Sequence, residues 1–193
     1  MQVEPNVVQP LKFRKNRRSA ALEYRSANPI IFFREVLHPS VEGSPSIERV
    51  PVAQIQVPNG LREALFFFVA LPEKDRKGGR EYLIYAMDDS LAAFPVDSMV
   101  ICNLTGTELI GKIGETAATF QVGASRAYDF GRYKKGLPVL FAVETKTGLR
   151  PVFMNRLKYS ENKRVILLFE PPQKVGSLRV VAKRIVQFVL VSE

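Results

Sequence analysis

The stretch YLIYAMDDSLAAFPVDSMVICNLTG, Tyr82 to Gly106, decides the class of fold. An almost wholly apolar run stops at two adjacent carboxylates, Asp88 and Asp89, and a second apolar run, MVICNL, begins after Ser98. Both runs are short, rich in aliphatic and aromatic residues, and bounded by turn formers, which is the signature of strands. Asp and Ser oxygens accept backbone amide protons where a ladder ends, so DDS suits a chain leaving a sheet. SLAAF is expected to form one short turn capped by Asp89 or Ser90. Pro95 then breaks it, and MVICNL re-enters the sheet.

The same alternation extends outward. PIIFFREV spans Pro29 to Val36, and in VAQIQVP the residues Ala53, Ile55 and Val57 face one way while Gln54 and Gln56 face the other. REALFFFVALP is apolar on both faces, which predicts a central strand. Leu109–Ile113 and Ala118–Val122 frame GETA, a hairpin turn, and TKTG joins PVLFAVE to RPVFMNRLKY. RVILLFE stops at Pro171-Pro172, and LRVVAKRIVQFVLV closes the chain. Roughly ten to twelve strands at regular spacing predict an all-β protein. The expected architecture is an antiparallel β-sandwich, immunoglobulin-like or related, with two small β subdomains as the alternative. Residues 1–27 read as a basic N-terminal arm and 28–193 as the sandwich domain. GRYKKG, Gly131 to Gly136, is where that domain would divide.

A chain of 193 residues, 46% hydrophobic and 24% charged, can bury a core without metals or disulfides. One cysteine, Cys102, permits no intramolecular disulfide, and one histidine, His38, leaves no ligand set for a zinc finger. MQVEPNVVQP lacks a basic segment followed by an apolar one, so no signal peptide is legible in it. No apolar run approaches the ~20 residues of a membrane-spanning helix.

Candidate chemistry is sparse. Neighbouring strand residues point to opposite faces, so Asp88 and Asp89 make a poor catalytic dyad; Asp88 with Asp97 across the loop is the other arrangement. DDSLAAFPVDS lacks the alternating oxygen ligands of a calcium loop. Cys102 is expected to be a small buried hydrophobe, and His38, before Pro39, to lie in an exposed loop. No G-x-S-x-G elbow or phosphate-binding glycine loop occurs. No catalytic, metal or cofactor-binding residue is assigned, and no cofactor is expected. Asn103-Leu104-Thr105 fits the glycosylation pattern but reads better as a strand leaving into a polar turn. The net charge of +9 attracts anionic partners. Lys12, Arg14, Lys15, Arg17 and Arg18 are candidate anion-binding residues, with further cations in DRKGGR, GRYKK, NKR and AKR and aromatic residues nearby.

AMDDSLAAFPVDSMVICNLTGTELIGKIGETAATFQVGASRAYDF resembles uncharacterised exported bacterial β-sandwich proteins. In those, a DDS…FP…S connection leads into a strand ending in an Asn-Leu-Thr/Ser-Gly turn, and a small hairpin with a G-x-S-containing end follows. The resemblance covers mainly residues 82–130, with weaker similarity in NPIIFFREV and RPVFMNRLKY. It implies a periplasmic or cell-surface location, given a removed signal peptide, and carries over no active-site residue. The expected function is a non-enzymatic cell-envelope role in structure, adhesion or assembly, with a protein partner or a second copy bound through edge strands. The alternative is a basic binding module for nucleic acid or anionic polysaccharide. A glycosidase-like hydrolase acting through Asp88, Asp89 and Asp97 comes third.

Overall fold

Residues 2–4, 7–12, 18–25, 29–39, 44–172, 174 and 176–189 are described in a computed structural model of the chain. In chain order the strands are β1 (Gln2–Glu4), β2 (Val7–Val8), β3 (Ile30–His38), β4 (Ser46–Ile55), β5 (Ala64–Ala70), β6 (Tyr82–Asp88) and β7 (Ser98–Asn103). They continue as β8 (Leu109–Ile113), β9 (Thr116–Phe120), β10 (Gly123–Asp129), β11 (Leu137–Thr145), β12 (Gly148–Leu157), β13 (Lys163–Glu170) and β14 (Val181–Phe188). A single 3-10 turn at Glu73–Asp75 is the one helical element among the described residues. The protein is all-β. It divides into two compact units, Met1–Leu61 with Leu65–Ala86, and Arg62–Ala64 with Met87–Glu193. Gly131–Gly136 lies inside the second unit.

In the first unit, β3 and β4 form a two-stranded antiparallel sheet from Ile30↔Ile55 to His38↔Ser46, with a bulge where Phe32 and Phe33 face Ala53 and Pro51. Pro51 has no amide proton to give the ladder, and the bulge takes up that loss. Ile30, Phe32, Val52 and Ala53 are buried, and Phe66, Phe68, Tyr82 and Ile84 pack on them. Phe32 meets Phe68 edge to face at 4.9 Å. Leu11 and Tyr24 join the same cluster, so parts of the N-terminal segment pack on this unit. β5, expected as a central strand, pairs only with β6 in a two-stranded sheet. Its apolar faces are explained by side-chain packing: Phe66 and Phe68 point one way, and Phe67 is buried on the other.

The second unit holds two four-stranded sheets, ordered β10-β7-β13-β14 and β12-β11-β8-β9. Alternate residues of both enter one core. Met99, Ile101, Val165, Leu167 and Phe169 come from the first sheet; Leu109, Ile113, Leu137, Val139 and Phe141 come from the second. The Phe141 and Phe169 rings lie 4.6 Å apart across the layers. Each fully buried large side chain contributes about 1.5–3 kcal/mol. Gly111 gives the Phe120 and Phe141 rings of its own sheet room to close over it, because a Cβ there would stand 2.7 Å from both.

One pairing departs from the antiparallel expectation: β13 runs parallel to β7, with Val165↔Met99 through Phe169↔Asn103 in register. Parallel neighbours need a long crossover. Here the chain supplies it by building β8–β12 before returning as β13. Every residue of β7 is buried, as are six of the eight in β13, consistent with their continuous apolar sequences.

Candidate functional site

The Asp88–Ser98 segment is a built junction. The Asp88 carboxylate accepts the Ser90 amide proton at 2.9 Å, and the Ser90 hydroxyl accepts that of Ala93 at 3.3 Å. The Phe94 amide donates to the Ser90 carbonyl at 2.8 Å, closing the short turn that the sequence predicts. These bonds, the Ser90 backbone amide first and the Ser90 side chain second, hold the exposed Asp88 carboxyl below the usual carboxylate range.

Asp89 has a different partner. Arg164, near the start of β13, is almost wholly buried, and its guanidinium donates to the Asp89 carbonyl at 2.7 Å and the Phe94 carbonyl at 3.1 Å. It lies 3.3 Å from the Asp89 carboxylate, donates twice to the Gln187 amide oxygen, and stands 4.8 Å from the centre of the Phe94 ring. One planar cation thus pins both ends of the turn to the sheet. Asp97, at φ 57, serves the backbone: its carbonyl accepts from Phe130 and Gly131, its amide donates to Lys163, and its carboxylate accepts the Lys163 amide proton at 3.4 Å. Each of the three acids therefore has a structural bond. Among the described residues no group of three or more His, Cys, Asp or Glu side chains is arranged to hold a metal ion.

The other singled-out residues also have places. Cys102 is fully buried and its thiol is pushed up to about 12, so it is neither a ready nucleophile nor accessible. Asn103 is fully buried and its amide nitrogen donates to the Thr107 and Phe120 carbonyls, while its oxygen accepts from the Thr105 amide and hydroxyl. The Asn-Leu-Thr-Gly turn is built on that side chain. His38 is exposed as expected but ends β3 rather than lying in a loop, with Nε2 2.7 Å from Glu48. Arg14, Lys15 and Arg17 lie outside the described residues; Lys12 is exposed and Arg18 is half-buried.

Two surfaces are candidate sites. The first is the outer part of the β3–β4 hairpin. Among the described residues neither strand has a second strand neighbour in its sheet. The Val52 carbonyl of β4 accepts the Glu81 amide proton at 2.7 Å, so the open backbone edges lie toward the Leu37–Ile47 end of the hairpin. Leu37 and Ile47 face each other across the pair, and each is 62% exposed. Polar pairs flank them: an Arg49–Glu35 ion pair at 3.4 Å and the His38–Glu48 hydrogen bond. The pair forms an exposed apolar patch at the end of the hairpin. The outer strands of the second unit carry edge features of the same kind as the bulge and Pro51 of β3–β4. β9 is short, β10 carries a bulge, β12 contains Pro151, and Lys183 and Arg184 lie in β14.

The second surface is a cleft of about 470 Å3 in the second unit, lined by Glu115, Arg132, Tyr133, Lys134, Lys135 and Arg156, with Gly114, Gly136 and Pro138 at its floor. GRYKKG supplies most of it. Arg156 of β12 was not visible as a member, because only the β11–β12 register, Pro138↔Arg156, brings it there. Comparison of the chain with protein-family models, curated proteins and solved structures found no match.

Proposed function

We propose that this is a non-enzymatic assembly protein of the bacterial cell envelope that docks on a protein partner by strand addition to the β3–β4 hairpin. The observation that carries the reading is the open hairpin edge with its exposed Leu37–Ile47 pair. An added strand would satisfy the idle backbone groups while its side chains cover the apolar pair, the usual division between affinity and specificity in this mode. The bonds made by Asp88, Asp89 and Asp97 support a non-catalytic role for them. A sandwich architecture for the second unit is supported by two sheets that share one core through Phe141 and Phe169. The envelope location rests on the likeness of residues 82–130 to exported β-sandwich proteins.

A photo-crosslinking residue placed at position 37 of the full chain in its native host tests the docking surface. Discrete adducts of defined mass are expected from that position, lost when Ile47→Asp is added, and none from the same probe at position 112. Equal, diffuse labelling from both positions would remove the reading. So would turnover of a glycoside that depends on Asp88, Asp89 and Asp97.

A further inference from the structure

We propose that the basic cleft of the second unit binds a carboxylate-bearing polysaccharide, with Lys135 and Arg156 as the cations that touch it. The cleft lies between the β8–β9 turn, the β10–β11 connection and β12, and its volume of about 470 Å3 falls within the ~300–1,000 Å3 of ligand sites. Four cations line it against one acid, Glu115.

Two of the four cations are held by acids outside the lining. Arg132 pairs with Asp129 at 2.7 Å. Lys134 reaches the Tyr159 hydroxyl at 3.3 Å and Glu161 at 3.4 Å, contacts that keep it charged. Lys135 and Arg156 have no ion pair among the described residues. Arg156 is steadied instead by a bond from one guanidinium nitrogen to the Gly136 carbonyl at 3.2 Å, which leaves the rest of its fork for a planar anion.

Two glycines let side chains of the lining pack closely against the backbone. Gly114, at φ 60, lies so close to the Tyr133 hydroxyl that any side chain there would collide with it. Gly136, at φ 98, has Arg156 and the Leu157 carbonyl 3.1 Å from where a Cβ would sit.

The aromatic groups decide between polymers. Single-stranded nucleic acid binds through rings open to base stacking. Here Tyr133 is half-buried against Gly114, and the face of the neighbouring Tyr159 is covered by the Lys134 ammonium at 4.3 Å. What the cleft offers is charge and forked donors, which suit carboxylates spaced along a sugar chain.

Calorimetric titration of the full chain with trigalacturonate tests this, at about 20 mM and about 200 mM salt. Binding is expected at low salt and should weaken at high salt. Lys135→Ala and Arg156→Ala should each lower affinity about tenfold, the worth of one charge-assisted bond. Arg156→Lys should weaken binding less, because it keeps charge and loses the fork. Lys12→Gln with Arg18→Gln should leave affinity unchanged. Unliganded thermal unfolding of each variant, matched to the parent chain, shows that the loss belongs to the cleft. No binding by the parent chain would overturn the proposal. So would unchanged affinity in Lys135→Ala with Arg156→Ala, an equal loss in the Lys12/Arg18 variant, or tighter binding of an oligothymidylate of equal charge.

Discussion

Arg164 exchanges hydration for two carbonyls, a carboxylate, the Gln187 amide and the face of Phe94. Removing one partner of such a pair strands the other. Arg164→Met is expected to cost about 3 kcal/mol in urea unfolding, and Asp89→Asn less, because the guanidinium keeps its carbonyl partners. If instead Asp89→Asn left stability intact and abolished an activity, the structural role of the pair would be wrong. Asp88 gives a pH signature. Its folded-state carboxyl titrates below the ordinary range, so its contribution is fully present above the unfolded-state value and is lost as pH falls through the folded one. Ser90→Ala should move the Asp88 NMR titration midpoint upward, since it removes the smaller of the two Ser90 bonds. Asn103→Leu leaves the Thr107 and Phe120 carbonyls without their donor and should cost about 2–4 kcal/mol. The Asp88–Ser90 turn was legible from residue types alone, because its bonds are local. Arg164 was not, although an arginine opening the apolar run RVILLFE was a visible anomaly. Its partners in the turn, Asp89 and Phe94, sit 75 and 70 residues away in the chain, and only the fold brings them together.

Strands were read well where both ends carried punctuation. Tyr82–Asp88, Ser98–Asn103, the hairpin at Gly114 and the one at Gly148 follow the apolar runs and their turn residues. β10 was missed because GASRAYD has weak alternation. Its bulge lets the Ser125 hydroxyl take the Ile101 amide proton in place of a ladder bond. The role of β5 was misread because an all-apolar strand can be buried by side-chain layers as well as by flanking strands. Nor could local periodicity announce the parallel β7–β13 pair, which is a property of the chain path. Packing on the inner face of the β12-β11-β8-β9 sheet yields its own test. Gly111→Ala should destabilise by about 2–3 kcal/mol, since the added methyl meets two rings that are themselves enclosed. A variant as stable as the parent would show that the Phe120 and Phe141 rings do not close over Gly111.

At the scale of the molecule, one unit carries a dense two-sheet core, and the other carries a two-stranded hairpin that ends on an exposed apolar pair. Cys102 reports on the first: a thiol reagent should modify it only as fast as the second unit opens, since burial hides the sulfur and suppresses its thiolate. The account of assembly rests on the second, and residue-resolved amide hydrogen exchange on the purified chain tests it most directly. The predicted result is slowest exchange in β7 and β13, through global opening alone, with fast exchange at every second amide along the outer edges of β3 and β4. Strong protection of those outer-edge amides in the isolated chain would contradict it, because the edges offered to a partner would then already be covered.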